Sequence, residues 1–138
     1  MEDNVDPNFV GGGIYREHIM DHYKNPRNQG ILKDADAKHT EHNPVCGDVI
    51  TITVAIKNDE IKDLRFQGRG CAISQAATSM LTEELKGKPL KNALDFSQQH
   101  IVEMLGIPIG PVRTKCAVLG MIAVKEAIKE YQNGKIHS

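Results

Sequence analysis

The sequence lacks an excess of charge of either sign. Its 138 residues include 17 lysines and arginines against 18 aspartates and glutamates, which gives a formal net charge of −1. A chain without a positive field has no general electrostatic attraction for nucleic acid or for anionic lipid. Nucleic acid is therefore not an expected partner.

Long hydrophobic runs are also absent. The longest, residues 49–56, is interrupted by two threonines, whereas a membrane-spanning helix needs about 20 predominantly apolar residues. Residues 1–6 are acidic and have neither the apolar segment of a secretory signal nor the Arg- and Ser-rich composition of a transit peptide. We therefore expect a cytoplasmic protein of prokaryotic type with no membrane partner.

Cysteine is scarce, with only Cys46, Cys71 and Cys116 in the chain. An odd number of widely spaced cysteines is a poor disulfide framework. In a reducing compartment such thiols are more often metal ligands or reactive groups. The alternative is three isolated cysteines packed in the core, where free cysteine is common.

The length and apolar content fit one domain. The chain is 40% hydrophobic, enough for a single core at this length, and it shows no internal repeat. A flexible N-terminal segment is expected over residues 1–13, which end in three glycines. Residues 14–138 are then predicted to form a single domain.

Alternating apolar residues predict the strands. Residues 49–56 alternate with many β-branched side chains, and residues 61–67 return after a turn at 57–60, which gives a hairpin. An earlier strand near residues 39–43 is expected to pair alongside it.

Helical periodicity predicts four further elements, at residues 14–24, 72–86, 97–106 and 117–131. Together the elements indicate an α+β fold, with a small antiparallel sheet of about three strands and helices packed on one face.

Each cysteine lies in its own short signature. The three signatures are Asn43-Pro44-Val45-Cys46-Gly47-Asp48, Gly68-Arg69-Gly70-Cys71-Ala72-Ile73-Ser74 and Arg113-Thr114-Lys115-Cys116-Ala117. Asp48 adds a carboxylate two positions after the first cysteine, and three thiolates with one carboxylate suit iron or zinc.

The predicted elements place these ligands at one rim of the sheet. Cys46 and Asp48 fall at a connection between strands, Cys71 at the start of a helix, and Cys116 in the first turn of the last helix. A helix N-terminus favours a thiolate, because its unpaired N–H groups carry partial positive charge.

The three signatures in this order resemble the IscU/SufU/NifU N-terminal family of iron–sulfur cluster assembly scaffolds, over about residues 15–131. The resemblance implies an IscU-like fold and a non-enzymatic platform that takes persulfide sulfur from a cysteine desulfurase, gathers iron, builds a [2Fe–2S] cluster and passes it to apo-proteins. It implies that Cys46, Asp48, Cys71 and Cys116 hold the cluster or a zinc ion. Cys116 and Cys71 become the candidate persulfide acceptors.

Lys115 departs from the IscU branch, where a histidine often precedes the last cysteine, and is closer to the SufU branch. The chain is nevertheless a mixture of the two, because it lacks the insertion that the SufU branch generally carries between its second and third cysteines. A zinc-bound SufU-like sulfur shuttle with sulfurtransferase-like activity is therefore the alternative function, and a zinc-stabilised interaction domain is a third. Lys115 is a candidate modulator of the site, because its ammonium favours nearby thiolates and can pair with Asp48. The alternative is an ordinary exposed lysine.

Partner predictions follow the same resemblance. Residues 109–113 differ from the motif that IscU-type scaffolds offer to an Hsp70 chaperone, so dependence on such a chaperone stays open. A homo-oligomer that shields one cluster between subunits also stays open. His39 and His42 could reach a metal from the strand before Cys46, although surface positions are more common for strand histidines. The other four histidines, at 18, 22, 100 and 137, are expected to be solvated.

Overall fold

The computed structural model describes residues 12–45 and 47–137, and within them nine regular elements. In chain order these are α1 (Gly12–Lys24), β1 (Ala37–Asn43), β2 (Asp48–Lys57), β3 (Glu60–Arg69), α2 (Ala72–Leu85), α3 (Leu90–Asp95), α4 (Gln98–Leu105), α5 (Pro111–Ala117) and α6 (Leu119–His137). The three strands form one antiparallel sheet in the order β1-β2-β3.

The β2–β3 hairpin is closed by a two-residue turn. Asn58 and Asp59 have φ values of 56° and 59°, and a type I′ turn needs this left-handed conformation at both central residues. Asparagine and aspartate tolerate it better than other side chains do. The predicted hairpin and its turn are confirmed.

Helices cover one face of the sheet. Ile50, Ile52 and Val54 of β2 are completely buried and point to the same face, because side chains alternate along a strand. On that face α6 lies against β1 and β2, and α2 lies against β3. The predicted α+β class with a three-stranded antiparallel sheet is confirmed.

The connection between α1 and β1 protects the rest of the sheet. On its second face Thr53 is buried, and its hydroxyl accepts the backbone N–H of Leu32 at 3.0 Å. At the β3 edge, Phe66 donates its N–H to the Asn28 carbonyl at 2.9 Å and accepts the Gly30 N–H at 2.8 Å. These contacts satisfy edge groups that would otherwise be open to another strand.

Helix α1 begins at Gly12, two residues earlier than predicted. Most of the segment expected to be flexible lies outside the described residues, and its flexibility stays a prediction. Tyr15 and Tyr23 are each 42% exposed, whereas Ile19 between them is completely buried. The buried side of α1 packs on α2.

The prediction that His22 is solvated is wrong. His22 is only 1% exposed. Its Nδ1 lies 2.7 Å from the Ser79 hydroxyl, and its Nε2 lies 3.4 Å from a carboxylate oxygen of Glu83. Burial lowers the pKa of His22, the positive charges of Arg27 and His18 act in the same direction, and Glu83 opposes them. Its partners on α2 satisfy the ring nitrogens and make the burial tolerable.

The position predicted for Cys116 is also wrong. Gly110 is the N-cap of α5 and Pro111 opens it, so Cys116 lies near the C-terminal end of this short helix. Val118 separates α5 from α6, which begins at Leu119. The first turn of α5 shows no apolar period, and its Val112 is 58% exposed, so the periodic pattern in the sequence begins only at the following residues.

Helix α3 is an element that the predicted pattern omitted. It has six residues, follows Pro89 at its N-cap, and buries Leu90 and Ala93. In the described part of the chain, no helix is both long and apolar enough to span a membrane.

Candidate metal centre

Cys71 lies where β3 passes into α2. It is the N-cap of α2, with φ −72° and ψ 160°, and is half-buried. The predicted position of Cys71 at a helix start is confirmed. The backbone N–H groups of the first helical turn therefore surround the base of this thiol.

Asp48 is the first residue of β2 and only 1% exposed. Its Oδ1 accepts the backbone N–H of Cys71 at 3.0 Å, and its Oδ2 accepts the Cys71 thiol at 3.4 Å. A buried carboxylate needs such donors, because burial without them is very unfavourable. The two contacts connect the strand that carries Asp48 to the helix that begins after Cys71.

Gly70 makes this approach of Asp48 to Cys71 sterically feasible. Its φ is +143°, a conformation that L side chains rarely adopt, and a Cβ at this position would overlap the carboxylate of Asp48. Glycine is thus required here both for backbone conformation and for space.

Cys116, on α5, lies close to Asp48 and Cys71. It is buried, with 2% of its surface exposed, and the side-chain Nδ2 of Asn43 lies 3.9 Å from its sulfur. The C-terminal position on α5 means that Cys116 does not share the helix-start environment of Cys71.

Three candidate ligand atoms meet at this rim of the sheet. One atom each from Asp48, Cys71 and Cys116 lies within 4.8 Å of the other two. Two soft sulfurs and one hard oxygen at this separation fit zinc or an iron centre. In the described residues this is the only group of three or more His, Cys, Asp or Glu side chains with such geometry.

The fourth predicted ligand, Cys46, lies outside the described residues. It belongs to the connection between β1 and β2, whose two ends are described. Strand β1 stops at Asn43 and β2 starts at Asp48, and these two residues face each other in the sheet register. Whether Cys46 joins the other three ligands stays a prediction.

Lys115 is exposed. It lines a cavity of about 200 Å³ together with His42, Asn43, Pro44 and Val118. Among the described residues, the ion pairs do not include Lys115. Lys115 thus lines the same cavity as Asn43 and Pro44, while its modulating role stays a prediction.

Neither strand histidine belongs to the group of three ligating atoms. His39 is hydrogen-bonded to Glu41 at 2.8 Å and to Glu130 at 3.2 Å. Burial works against protonation of His39, but the two carboxylates outweigh it and raise its pKa above the ordinary value. His42 is exposed and lines the cavity beside Lys115.

Asn43 is a residue whose contribution the sequence pattern does not show. It stands in the first signature simply as the residue before Pro44, whereas in the structure its amide lies between that connection and Cys116. Only its proximity to a proline and a cysteine could have drawn attention to it.

Comparison with known protein families identifies the family of this chain. The model of the NifU-like N terminal domain matches residues 14–137. The chain belongs to this family. The NifU-like N-terminal domain thus accounts for nearly the whole described structure, and the resemblance expected from the three cysteine signatures is confirmed.

Individual members of the family show how similar the chain is to its relatives. The iron-sulfur cluster assembly scaffold protein IscU 1 of Archaeoglobus fulgidus is 41% identical over 125 residues, which cover 89% of this chain and 81% of the relative. The zinc-dependent sulfurtransferase SufU of Bacillus subtilis is 36% identical over 138 residues, which cover 88% of this chain and 93% of the relative.

A solved structure supports the same assignment. The crystal structure of a protein from Fervidobacterium islandicum AW-1, described as a candidate iron-sulfur cluster assembly scaffold for the SUF system, superposes with a TM-score of 0.70. The two chains are 31% identical, and the superposition covers 84% of this chain and 97% of the other.

Proposed function

We propose that this protein is a scaffold on which [2Fe–2S] clusters are assembled from iron and from persulfide sulfur that a cysteine desulfurase supplies and an external electron donor reduces to sulfide. The completed cluster is then transferred to apo-proteins. The observation that carries the proposal is the meeting of Asp48, Cys71 and Cys116 within 4.8 Å. The relative from Archaeoglobus fulgidus, which bears the name of such a scaffold, supports it.

The ligand set suits a transferable cargo. We assign Cys46, Asp48, Cys71 and Cys116 as ligands, with zinc as an alternative occupant of the purified protein. Thiolates bind iron and zinc strongly, whereas a carboxylate is a harder and weaker ligand for a cluster. A site with one such ligand holds the cluster less tightly than four thiolates do, which favours its release.

Sulfur enters this site by exchange at a thiolate. A cysteine thiolate of the chain attacks the outer sulfur of the desulfurase persulfide, a new S–S bond forms on the chain, and the desulfurase cysteine leaves as a thiolate. Cys116 and Cys71 are the candidate acceptors. Cys71 is half-buried and Cys116 is buried, so an attack by Cys116 requires that its sulfur first become accessible.

The second candidate function is that of a zinc-bound sulfur acceptor. The relative from Bacillus subtilis is named a zinc-dependent sulfurtransferase, and the match covers 93% of its length. In this case the chain carries sulfur from the desulfurase to another acceptor and has a transferase-like activity. Lys115 stands before Cys116 in a SufU-like signature and is the residue of this chain that favours this function.

The remaining properties follow from the scaffold role. We infer that residues 14–138 act as one domain in the cytoplasm, with a desulfurase and apo iron–sulfur proteins as partners. Dependence on an Hsp70-type chaperone and the formation of a homo-oligomer are open features of the proposal.

Anaerobic reconstitution tests the two functions against each other. The protein is incubated with iron, cysteine, a desulfurase and a thiol reductant, and its visible absorption is followed after removal of unbound iron. A stable chromophore of a [2Fe–2S] cluster, with transfer to an apo-ferredoxin, supports the scaffold. Retention of zinc without a chromophore, together with faster desulfurase turnover, supports the sulfur acceptor instead.

Two variants keep this experiment specific. Cys71→Ser should abolish the chromophore, because it removes one of the three converging ligands. Asp63→Ala is the matched control, since it removes a carboxylate that pairs with Arg65 and Lys86 near the start of β3. A chromophore that survives Cys71→Ser at full intensity would overturn the proposed ligand set.

A further inference from the structure

Asn43 is a polar residue buried next to the proposed metal site. It ends β1, is 8% exposed, and faces Asp48 across the sheet. A buried amide is unfavourable unless its donors and acceptor are satisfied. The partners of this amide therefore show what the residue holds in place.

The side-chain oxygen of Asn43 holds the connection that follows β1. Its Oδ1 accepts the backbone N–H of Val45 at 3.1 Å. The backbone carbonyl of Asn43 also accepts the N–H of Gly47 at 2.7 Å. Asn43 thus holds the connection on both sides of position 46.

The side-chain nitrogen faces Cys116. Nδ2 lies 3.9 Å from the Cys116 sulfur, within the longer range of donors to sulfur. The amide cannot be turned around, because a backbone N–H only donates and the group facing Val45 must be the oxygen. The NH₂ group is consequently the part that points at the sulfur.

We propose that Asn43 is a positioning residue of the metal site. Its NH₂ group donates to the Cys116 sulfur, and the contact of its oxygen with the Val45 N–H fixes the orientation of the amide, so that the end of β1 positions the Cys116 ligand. The inference rests on the proposed function in that it takes Cys116 as a ligand. Donors to a ligating sulfur are a recognised means of fixing a ligand and adjusting the metal it holds.

Asn43→Asp removes the donor and also adds a negative charge, which by itself favours a bound cation. Aspartate has the same size and keeps an oxygen for the Val45 N–H, but an ionised carboxylate has no hydrogen to donate to sulfur. Loss of a contact in the outer shell of a metal site typically weakens binding by about 10- to 100-fold. We therefore expect a net fall in zinc affinity, measured by competition with a chromophoric chelator, in spite of the added charge.

A spectroscopic readout separates positioning from general stability. In the cobalt-loaded protein, the sulfur-to-cobalt charge-transfer band of Asn43→Asp should move to longer wavelength, because the sulfur electrons lose a stabilising donor. Asn28→Asp is the matched control. It removes a side-chain donor to Thr82 at 3.1 Å, and should change neither the zinc affinity nor the cobalt band.

The wild-type protein supplies a test that does not depend on the folding of a variant. When the site is loaded with a spin-active cadmium isotope, one side-chain N–H proton of Asn43 should show coupling to cadmium through the Cys116 sulfur. Resonances of Asn43 that neither couple nor shift on loading would overturn the proposal, as would an Asn43→Asp variant with wild-type affinity and an unmoved band. If the wild-type protein binds no metal at its cysteines, the proposed function and this inference both fail.

Discussion

Substitution of Gly70 by alanine should disable the metal site through Asp48 rather than through a cysteine. A Cβ at position 70 overlaps the Asp48 carboxylate, which must then move away from Cys71. The backbone adds a second effect, because φ is +143° and a conformation of this kind costs about 1–3 kcal/mol for a residue with a side chain.

The control for backbone strain is Gly87→Ala. Gly87 also has a positive φ, +86°, but a Cβ there meets no atom within 4 Å. Both variants therefore lose stability through their backbone. Only Gly70→Ala also disturbs the hydrogen bonds to a buried carboxylate, worth about 1.5–3 kcal/mol for a charged acceptor. We expect its apo form to melt below that of Gly87→Ala, by about 3–5 °C per kcal/mol.

Zinc affinity separates the displacement of the Asp48 carboxylate from the effect of backbone strain. Displacement of a ligand should weaken binding by at least the roughly 10- to 100-fold seen when outer-shell partners are removed, whereas Gly87→Ala should bind zinc as the wild type does. Chelator competition gives the dissociation constants, and thermal unfolding of the metal-free proteins gives the stabilities. If Gly70→Ala binds zinc within about threefold of the wild type, well short of that outer-shell loss, Asp48 is not a ligand or its position does not depend on Gly70.

Three further predictions test other parts of the molecule. Asp48→Cys should hold a reconstituted cluster longer and transfer it more slowly to apo-ferredoxin, because a thiolate replaces an oxygen; equal transfer rates would contradict the role given to Asp48. Chelation of bound metal should leave the far-ultraviolet circular dichroism unchanged, since the core forms from apolar residues of the sheet and helices; unfolding would instead indicate a structural zinc site. In urea unfolding between about pH 5 and pH 8, two histidines should change the free energy of unfolding with pH in opposite directions. The folded pKa of His39 is raised above 6.5, so its stabilising effect is complete below pH 6.5 and is lost as the pH rises through the folded pKa; the advantage of the wild type over His39→Gln should shrink accordingly. The folded pKa of His22 is lowered, so the unfolded chain binds more protons below pH 6.5, and the wild type should lose stability on acidification in a way that His22→Asn does not.

The sheet could be predicted because its sequence signals are local. Residues of β2 alternate between a buried and a less buried face, and Asn58 and Asp59 specify the turn by their tolerance of positive φ. The pairing of β2 with β3 follows from these two features, apart from a register shift between Ala55 and Ile56. The same local signals placed Cys71 directly after β3, at the start of a helix.

For Cys116 and His22, local sequence signals were not enough to predict the structure. Helix α5 begins through Gly110 and Pro111, not through an apolar period, so hydrophobic periodicity placed Cys116 in the wrong turn. His22 is buried because Ser79, 57 residues away, supplies a hydrogen bond. Contacts between distant segments of this kind cannot be inferred from the spacing of residues along the chain.

The candidate site was predictable only in part. Its ligand types were predictable from the signatures, because thiolates and a carboxylate point to metal chemistry wherever they converge. The part played by Gly70 was not, since the overlap with Asp48 depends on a contact between β2 and the residue before α2. The contact of Asn43 with Cys116 likewise joins the end of β1 to α5.

Asp48 also explains how the site can be stable without its cargo. One carboxylate oxygen accepts the Cys71 backbone N–H, and the other accepts the Cys71 thiol. If the second oxygen and the Cys71 sulfur are ligands in the loaded state, release of the cargo allows a hydrogen bond between these same two atoms once the thiol is protonated. The first contact need not change. We infer that this exchange of a ligand bond for a hydrogen bond reduces the penalty of leaving a buried carboxylate behind, which makes Asp48 suited to both states of a protein that gives up what it binds.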